Sequence, residues 1–276
     1  MNTPFRLHQK GDAVYLTSPL LDKAGAKHFF ATRKGGVSKG VFGGWNFASG
    51  VGKITDTEEN VLENYRLAAE LFGLSLSDIC RSYQAHTSKC ITVDDAHRGV
   101  GTTRPKFDFG VDGLVSKTKD LLLSVRTADC VPILLFDPQK QVCAAIHAGW
   151  RGTALGVAGK TAREMVRQFG CDPKNIRAAI GPNIGFCCFE TDRDVPDAML
   201  AALGEEAKPF IKPNGEKYYV NLKEINALWL RKAGVEHIEI SDACTVCQSD
   251  MYWSHRVTRG ERGSQGAIIV CKEACR

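Results

Sequence analysis

One stretch of sequence decides the fold of this chain: Leu121-Leu-Leu-Ser-Val125-Arg-Thr-Ala-Asp-Cys130-Val-Pro-Ile-Leu-Leu-Phe136. Its two apolar runs, and a third at Val142–Ile146, predict short buried strands, because apolar runs of about four to eight residues between turn signals are typical of strands in a sheet core. Asp137-Pro-Gln-Lys140 indicates the turn between the last two strands. Cys130 therefore lies at a predicted strand boundary.

His147 comes at the end of the third run and opens the segment His147-Ala-Gly-Trp-Arg151-Gly152. Glycine costs conformational entropy on folding, so its use here favours a backbone that approaches a ligand closely. Apolar residues then recur with helical period from Leu155 to Phe169, and Gly170 ends the run. The segment is thus a predicted strand-to-helix turn, with free N–H groups and Arg151 directed at an anion. Arg33, also set among glycines, is interpreted in the same way.

Two interpretations of Cys130 and His147 remain open from these residues alone. Free cysteine is among the most buried residue types, so Cys130 could be a small core residue and His147 a hydrogen-bonded core histidine. Alternatively, the thiol and imidazole could be ligands or catalytic groups at the edge of a cleft.

The remaining pattern predicts an α+β fold with mixed, sandwich-like β-sheets flanked by helices, in a single domain over residues 1–276. Strands and helices alternate in part of the chain and occur in runs elsewhere. A capping box at Thr55-Asp-Thr-Glu58 predicts the start of a helix, and further helices are expected at Asp194–Leu203 and Asn221–Ala233. Gly35 to Gly52 is expected to be a substrate-facing loop, and Gly99 to Gly110 a mobile one.

Composition excludes several classes of protein. The chain has 276 residues, 43% of them hydrophobic and 24% charged, and a net charge of +5. That charge is too small for a nucleic-acid-binding signature, and no apolar stretch approaches the roughly 20 residues of a membrane span. The first residues lack the apolar core of a signal peptide, and eleven cysteines favour reduced thiols. We therefore expect a cytoplasmic location, with no membrane or nucleic-acid partner.

Several motifs resemble those of the YfiH family, whose members have been called laccase-like polyphenol oxidases and purine nucleoside phosphorylases. The central matches are Asp112-Gly-Leu-Val-Ser, Thr127-Ala-Asp-Cys130-Val-Pro and His147-Ala-Gly-Trp-Arg-Gly152. Outer matches are Thr32-Arg33-Lys-Gly-Gly-Val-Ser38, Asn46, Gln84-Ala-His86, Gly181-Pro182, Cys187-Cys188-Phe-Glu190 and Ser254-His255-Arg256. The chain departs from the family pattern at Gly44-Trp45, Gly52-Lys53, Thr87 and Gly263-Ser264-Gln265, which affects substrate loops rather than the central motifs.

The resemblance implies a metal site, usually zinc with copper as an alternative, built from His86, Cys130 and His147. It implies phosphorolysis of adenosine, inosine, guanosine and S-methyl-5′-thioadenosine, together with adenosine deamination, in a monomer or weak homodimer. Three ligands with one open position would suit zinc-activated chemistry. On this interpretation Cys130, Arg151 and Arg33 are catalytic, and the substrate-binding residues are Asn46, Gln84, Cys187 and Glu190. Asp129 and Glu190 are the candidates for proton transfer or for orienting a histidine ligand.

Other functions stay possible from the sequence. Cys130 and His147 could form the nucleophile and base of a cysteine hydrolase. A copper-dependent polyphenol oxidoreductase is the older interpretation of the family, but several coppers would need more than the seven histidines present. Cys244-Thr-Val-Cys247 has zinc-ribbon spacing and could pair with Cys271 and Cys275.

Overall fold

A computed structural model describes residues 5–50 and 54–272. The strands are β1 (Arg6–Lys10), β2 (Ala13–Thr17), β3 (Lys27–Ala31), β4 (Ile79–Arg81), β5 (Cys90–Thr92), β6 (Gly113–Ser116), β7 (Leu122–Thr127), β8 (Val131–Asp137), β9 (Val142–Ala148), β10 (Arg177–Ile180), β11 (Glu190–Thr191), β12 (Ile211–Asn214), β13 (Lys217–Val220), β14 (His237–Ile240) and β15 (Gln265–Val270). The helices are α1 (Pro19–Lys23), α2 (Glu58–Glu70), α3 (Trp150–Ala154), α4 (Val157–Phe169), α5 (Asp194–Leu203), α6 (Leu222–Lys232) and α7 (His255–Thr258). Over these described ranges, no helix has the length and apolar content needed to cross a bilayer.

Two six-stranded sheets of mixed direction form the centre of the fold. The first has the order β1-β2-β3-β15-β7-β4 and the second β14-β10-β8-β9-β6-β5. Most neighbours are antiparallel, but β4 runs parallel to β7, β5 to β6, and β10 to β14. A small sheet, β11-β13-β12, lies outside this pair.

The apolar side chains sort these elements into four layers. One core cluster lies between the two sheets and includes Leu123 of β7, Ile269 of β15 and Leu134 of β8. Successive strand side chains point to opposite faces, so Ile133 and Leu135 face the other way. They pack against α4 and α6 in a second cluster. A third cluster joins the outer face of the first sheet to α2. The α+β, sandwich-like prediction is confirmed.

Two element boundaries differ from the sequence prediction. The helix predicted to start near Thr55 begins at Glu58, with Thr57 as its N-cap, because the Thr57 hydroxyl accepts the N–H of Asn60. The single helix predicted after Gly152 is instead two helices, α3 and α4. Gly156 separates them with φ = 72°, a left-handed conformation that glycine adopts without strain.

One predicted loop has a structure that was not foreseen. Gly35 to Gly52 was expected to face substrate, yet its aromatic residues Trp45 and Phe47 are fully buried against α2. Its later part, Ala48 to Gly50, lines a cavity. Gly52, Lys53 and Cys275, which entered the sequence argument, lie outside the described residues. That residues 1–276 form a single domain stays a prediction.

Candidate metal centre

The structure brings together the side chains of His86, Cys130 and His147. Their ligand atoms all lie within 4.8 Å of one another, and the two imidazole rings are 4.9 Å apart, edge to face. The strand register explains why Cys130 and His147 are close. β8 pairs with β9 so that Pro132 lies opposite His147, and Cys130, two residues before Pro132, therefore lies near His147. His86 joins them from the loop after β4. Two imidazoles and one thiol form a donor set suited to zinc, with a fourth position left open.

Asp112 organises both histidines. Its carboxylate is fully buried, and its Oδ1 accepts a hydrogen bond from Nδ1 of His147 at 2.7 Å and from the backbone N–H of His86 at 3.2 Å. Its Oδ2 accepts the N–H of Thr87 at 2.7 Å. A histidine whose Nδ1 is engaged by a carboxylate presents Nε2 to a metal, so Asp112 sets the orientation of His147.

Asp112, and not either of the two carboxylates proposed from sequence, orients His147, so that part of the prediction was wrong. Proton transfer by Asp129 or Glu190 stays a prediction. Asp129 accepts hydrogen bonds from the Thr245 hydroxyl at 2.6 Å and from the N–H of Arg256 at 2.6 Å. Glu190 accepts one from the Asn214 amide at 2.7 Å. Asp112 was missed although it opens one of the central motifs, because nothing in sequence ties residue 112 to residue 147.

Backbone geometry at the site leaves no spare room. A Cβ added to Gly149 would lie 2.3 Å from Nδ1 of His86 and 3.3 Å from Sγ of Cys130. His86 and Asp129, neither of them glycine, adopt φ values of 58° and 84°. Left-handed backbone in such residues costs free energy and is found where the surrounding structure imposes it, often at functional sites.

Electrostatics separate the two histidines. Burial lowers the pKa of His147, but Cys130 and Asp112 outweigh burial and raise that pKa to about 9. Burial and the neighbouring His147 lower the pKa of His86. Without a metal, the buried imidazole is therefore the one that holds a proton, in an arrangement with Asp112 and Cys130 that favours positive charge.

The three side chains open onto a cavity of about 240 Å3 with a cationic lining. Arg81, Arg126 and Arg262 line it, and none of its described lining residues is Asp or Glu. Burial lowers the pKa of both Arg126 and Arg262. The Nε atoms of Arg81 and Arg262 are buried and have no hydrogen-bond partner among residues 5–50 and 54–272. Desolvated guanidinium groups with free donors are suited to binding an anion.

A second cavity, of about 440 Å3, adjoins the first and shares Ser49, Arg81 and Arg126 with it. Tyr83 and the segment from Gly101 to Lys106 line it. Part of the Gly99–Gly110 loop predicted from sequence therefore forms a wall of this cavity. Together the two cavities make a cleft that begins at the His86–Cys130–His147 cluster.

The other residues proposed from sequence are distributed around this cleft. Gln84 lines it, and its amide exchanges two hydrogen bonds with the backbone of Arg126, at 2.6 and 2.8 Å. Asn46 lies below the surface, fully buried, where its amide binds Ala48, Asp56 and Ser264. It holds in place the loop that carries Ala48 to Gly50.

The two arginines proposed from sequence do not line the described cavity. Arg33 stacks over the Trp253 ring at 4.1 Å and donates to the carbonyl of Ser249. Arg151 is exposed and stacks over Trp150 at 4.1 Å. Arg126 stands in the opening motif, but no pattern in the sequence favours it over Arg151.

Cys187 and Glu190 are not among the described residues that line the cavity at Cys130. Cys187 is grouped with Cys188, Cys244 and Cys247, whereas the sequence paired Cys244 and Cys247 with Cys271 and Cys275. That pairing is corrected for Cys271, which is buried and donates its S–H to the carbonyl of Ser116. Glu190 lines a separate cavity with Trp150 and Arg256.

Comparison with known proteins identifies the class to which this fold and site belong. Residues 27–272 match the sequence model of a family described as multi-copper polyphenol oxidoreductase laccase. The chain belongs to this laccase-like YfiH family.

Two curated relatives and one solved structure show the extent of the similarity. "Purine nucleoside phosphorylase YlmD" of Geobacillus stearothermophilus is 36% identical over 91% of this chain and 92% of its own length. "Adenosine deaminase RL5", from an unknown prokaryotic organism, is 32% identical over 82% of this chain and 87% of its own. The crystal structure of YlmD from Geobacillus stearothermophilus superposes with a TM-score of 0.88 at 34% identity, covering 98% of this chain and 100% of that one.

Proposed function

We propose that this chain is a zinc-dependent purine nucleoside phosphorylase that acts on adenosine, inosine, guanosine and S-methyl-5′-thioadenosine. The observation that supports this most is the cavity in which three arginines adjoin the His86–Cys130–His147 cluster and whose described lining residues include no Asp or Glu. Such a cavity favours an anionic co-substrate, and phosphate is the anion that phosphorolysis requires. Relatives that are named purine nucleoside phosphorylases agree with this reaction.

On this proposal, Arg81, Arg126 and Arg262 bind phosphate and position it. One phosphate oxygen forms a bond to C1′ of the ribose while the bond from C1′ to the purine nitrogen breaks, and its electron pair leaves with the purine, which takes up a proton. Guanidinium groups that hold phosphate next to C1′ make the reaction between phosphate and nucleoside effectively unimolecular, which lowers its barrier. The neighbouring cavity beside Tyr83 provides space for the rest of the nucleoside.

The donor set fits zinc. His86, Cys130 and His147 would hold the ion, with Asp112 keeping His147 in the required tautomer. Zinc bound there would supply a Lewis acid at the edge of the cavity. The same residues and an open coordination position also suit adenosine deamination, which we propose as a second activity on the basis of the relative named adenosine deaminase.

The two alternatives from sequence have less support. A cysteine hydrolase would use Cys130 and His147, which are indeed neighbours, but it would give no role to His86 or to the three arginines. Polyphenol oxidation by several coppers needs many histidine ligands, whereas the cluster contains two of the chain's seven histidines.

The proposal predicts that base release from inosine depends on phosphate and on Arg126. We expect Arg126→Ala to raise the KM for phosphate at least about tenfold, because it removes a charge-assisted hydrogen bond to the anion. Arg6→Ala, on an exposed edge strand, is the matched control and should leave that KM unchanged. The measurement is initial-rate kinetics of hypoxanthine release over a range of phosphate concentrations, with and without a zinc chelator.

Base release at full rate without phosphate would contradict phosphorolysis. Activity that survives complete removal of the metal, but not alkylation of Cys130, would favour the cysteine hydrolase instead.

A further inference from the structure

Four cysteines that the proposed reaction does not use meet at one end of the second sheet. β10 and β14 are parallel neighbours, with Ile180 opposite Ile240, so the turns that follow them leave from the same edge. A hydrogen bond from the N–H of Thr245 to the carbonyl of Asn183, 3.1 Å, ties the two turns together. The turns carry what we call the four-cysteine cluster: Cys187, Cys188, Cys244 and Cys247.

The spacing of the sulfur atoms matches a metal site and not a disulfide. All four Sγ atoms lie within 4.8 Å of one another. Sγ of Cys247 is 3.7 Å from that of Cys187 and 3.4 Å from that of Cys188. Zinc–sulfur bonds of about 2.3 Å in a tetrahedron place sulfurs about 3.8 Å apart. A disulfide would need a sulfur–sulfur distance of about 2.05 Å, and adjacent cysteines such as Cys187 and Cys188 seldom form a disulfide without strain.

The surroundings of Cys244 favour a thiolate. Its sulfur is buried and accepts hydrogen bonds from the backbone N–H groups of Gly185, at 3.1 Å, Val246 and Cys247. Gly185 allows this approach, since a Cβ there would lie 3.1 Å from Sγ of Cys187 and 3.2 Å from that of Cys244. Donors directed at sulfur stabilise its negative form.

A buried cation stands beside the cluster. Lys223 of α6 is only 9% exposed, and its ammonium group donates to the carbonyls of Ser241, at 2.6 Å, and Ala243, at 3.3 Å. Buried charges in proteins are normally compensated. Four thiolates around a divalent ion carry a net charge of −2, which the ammonium group would partly neutralise.

We propose that the four-cysteine cluster is a second metal centre, which binds one Zn2+ ion through four thiolates and has no open position. It is structural, since four-sulfur zinc sites are closed to substrate. Both turns support the first site: the hydroxyl of Thr245, in the turn after β14, donates to Oδ1 of Asp129, and the N–H of Ile184, in the turn after β10, donates to the Asp129 carbonyl. Asp129 directly precedes Cys130, so the second centre would hold the backbone that presents Cys130.

The test separates the two centres by variants of the full chain purified under reducing conditions. We expect about two zinc ions per chain in the wild type, and about one in a His86→Ala/His147→Ala variant. We expect about one in Cys244→Ser/Cys247→Ser as well. Cys90→Ser, a half-buried thiol on β5, is the matched control and should keep both ions. In the double-histidine variant, X-ray absorption should show sulfur alone around zinc, at about 2.3 Å.

The double-histidine variant keeps the proposal falsifiable even if the cysteine variant does not fold. A double-histidine variant that holds no zinc after incubation with zinc chloride and a reductant would overturn it. So would nonreducing peptide mapping of metal-replete wild type that links Cys247 to Cys187 or Cys188. Neither result bears on phosphorolysis, which is tested through Arg126.

Discussion

At the scale of single residues, Asp112 does the most to define the first site. One carboxylate engages the ring of His147, the backbone of His86 and both the N–H and hydroxyl of Thr87. Burial raises the pKa of Asp112, but these hydrogen bonds outweigh burial and keep that pKa below its ordinary value. Asp112 therefore acts as an ionised acceptor that fixes two ligands at once.

Replacement of this carboxylate should weaken metal binding without unfolding the chain. Asp112→Asn keeps the shape but can present N–H groups to Nδ1 of His147, so we expect zinc affinity to fall by about 10- to 100-fold. Competition with a chromophoric chelator measures this. Asp137→Asn is the control, because Asp137 is also a fully buried carboxylate but accepts from the turn N–H groups of Gln139 and Lys140 and not from a histidine of the cluster. An unchanged affinity in Asp112→Asn would show that His147 is oriented by its packing alone.

Site residues could be predicted from sequence where they stand in a motif. They could not be predicted where only a contact in the folded structure places them at the site. His86, Cys130 and His147 each stand in a motif, so they could be chosen as candidates. The arginines proposed to bind the anion could not, because Arg81, Arg126 and Arg262 come from different loops and strands and meet only in the fold. Arg151 has the better local sequence context but stacks on Trp150 at the surface.

At the scale of elements, the junction between β9 and α3 controls the site. Gly149 is the N-cap of α3, with φ = −70° and ψ = 172°, a conformation that alanine also adopts. A Cβ there would nonetheless occupy the space next to His86 and Cys130. Glycine is therefore required at position 149 because the side chains of His86 and Cys130 lie so close, and not because of its backbone conformation.

Gly149→Ala should therefore abolish zinc binding at the first site while the protein keeps its fold. We expect the zinc content to fall by one ion per chain, with circular dichroism unchanged. Gly73→Ala gives the opposite control: its φ of 69° is unfavourable for alanine, but open space surrounds it. It should cost about 1 kcal/mol of stability and no zinc. Full zinc content in Gly149→Ala would mean that His86 can move aside.

Elements were predicted well where the apolar pattern was continuous. The three central runs correspond to β7, β8 and β9, and Asp194–Leu203 is helix α5 as predicted. The break between α3 and α4 was missed because Gly156 interrupts the helix to fit against Trp229, whose ring atoms lie 3.2 Å from a Cβ at that position. That contact joins residues far apart in sequence, so helical period alone could not indicate it.

At the scale of the whole molecule, both proposed metal centres depend on strand pairings between distant segments. β8 and β9 place Cys130 by His147, whereas β10 and β14 bring the four cysteines together. The spacing of Cys244 and Cys247 left a pairing with the C-terminal cysteines possible, because nothing in the sequence reveals that β14 lies beside β10. The order of strands in the sheets therefore determines which distant residues meet, and this cannot be read from the spacing of the motifs.

Because the pKa of His147 is raised, the stability of the metal-free protein should depend on pH differently from that of the zinc-loaded protein. In the metal-free protein this pKa is about 9, against 6.5 for an ordinary histidine. The proton on His147 therefore stabilises the metal-free fold fully below pH 6.5, and that stabilisation is lost as pH rises to about 9. Zinc binds the neutral ring of His147, so below about pH 9 the ion must displace the proton, which weakens metal binding. Above that pH the ring is already neutral and this cost disappears.

We therefore expect the difference in Tm between zinc-loaded and metal-free protein to widen as pH rises from 6.5 towards 9. Differential scanning calorimetry at fixed free zinc, in paired samples with and without chelator, measures the gap. Metal-free His147→Ala is the control, since it lacks the titrating group and its Tm should lose this part of the pH dependence. A Tm difference that stays constant over this range would show that the His147 proton is not displaced by the metal.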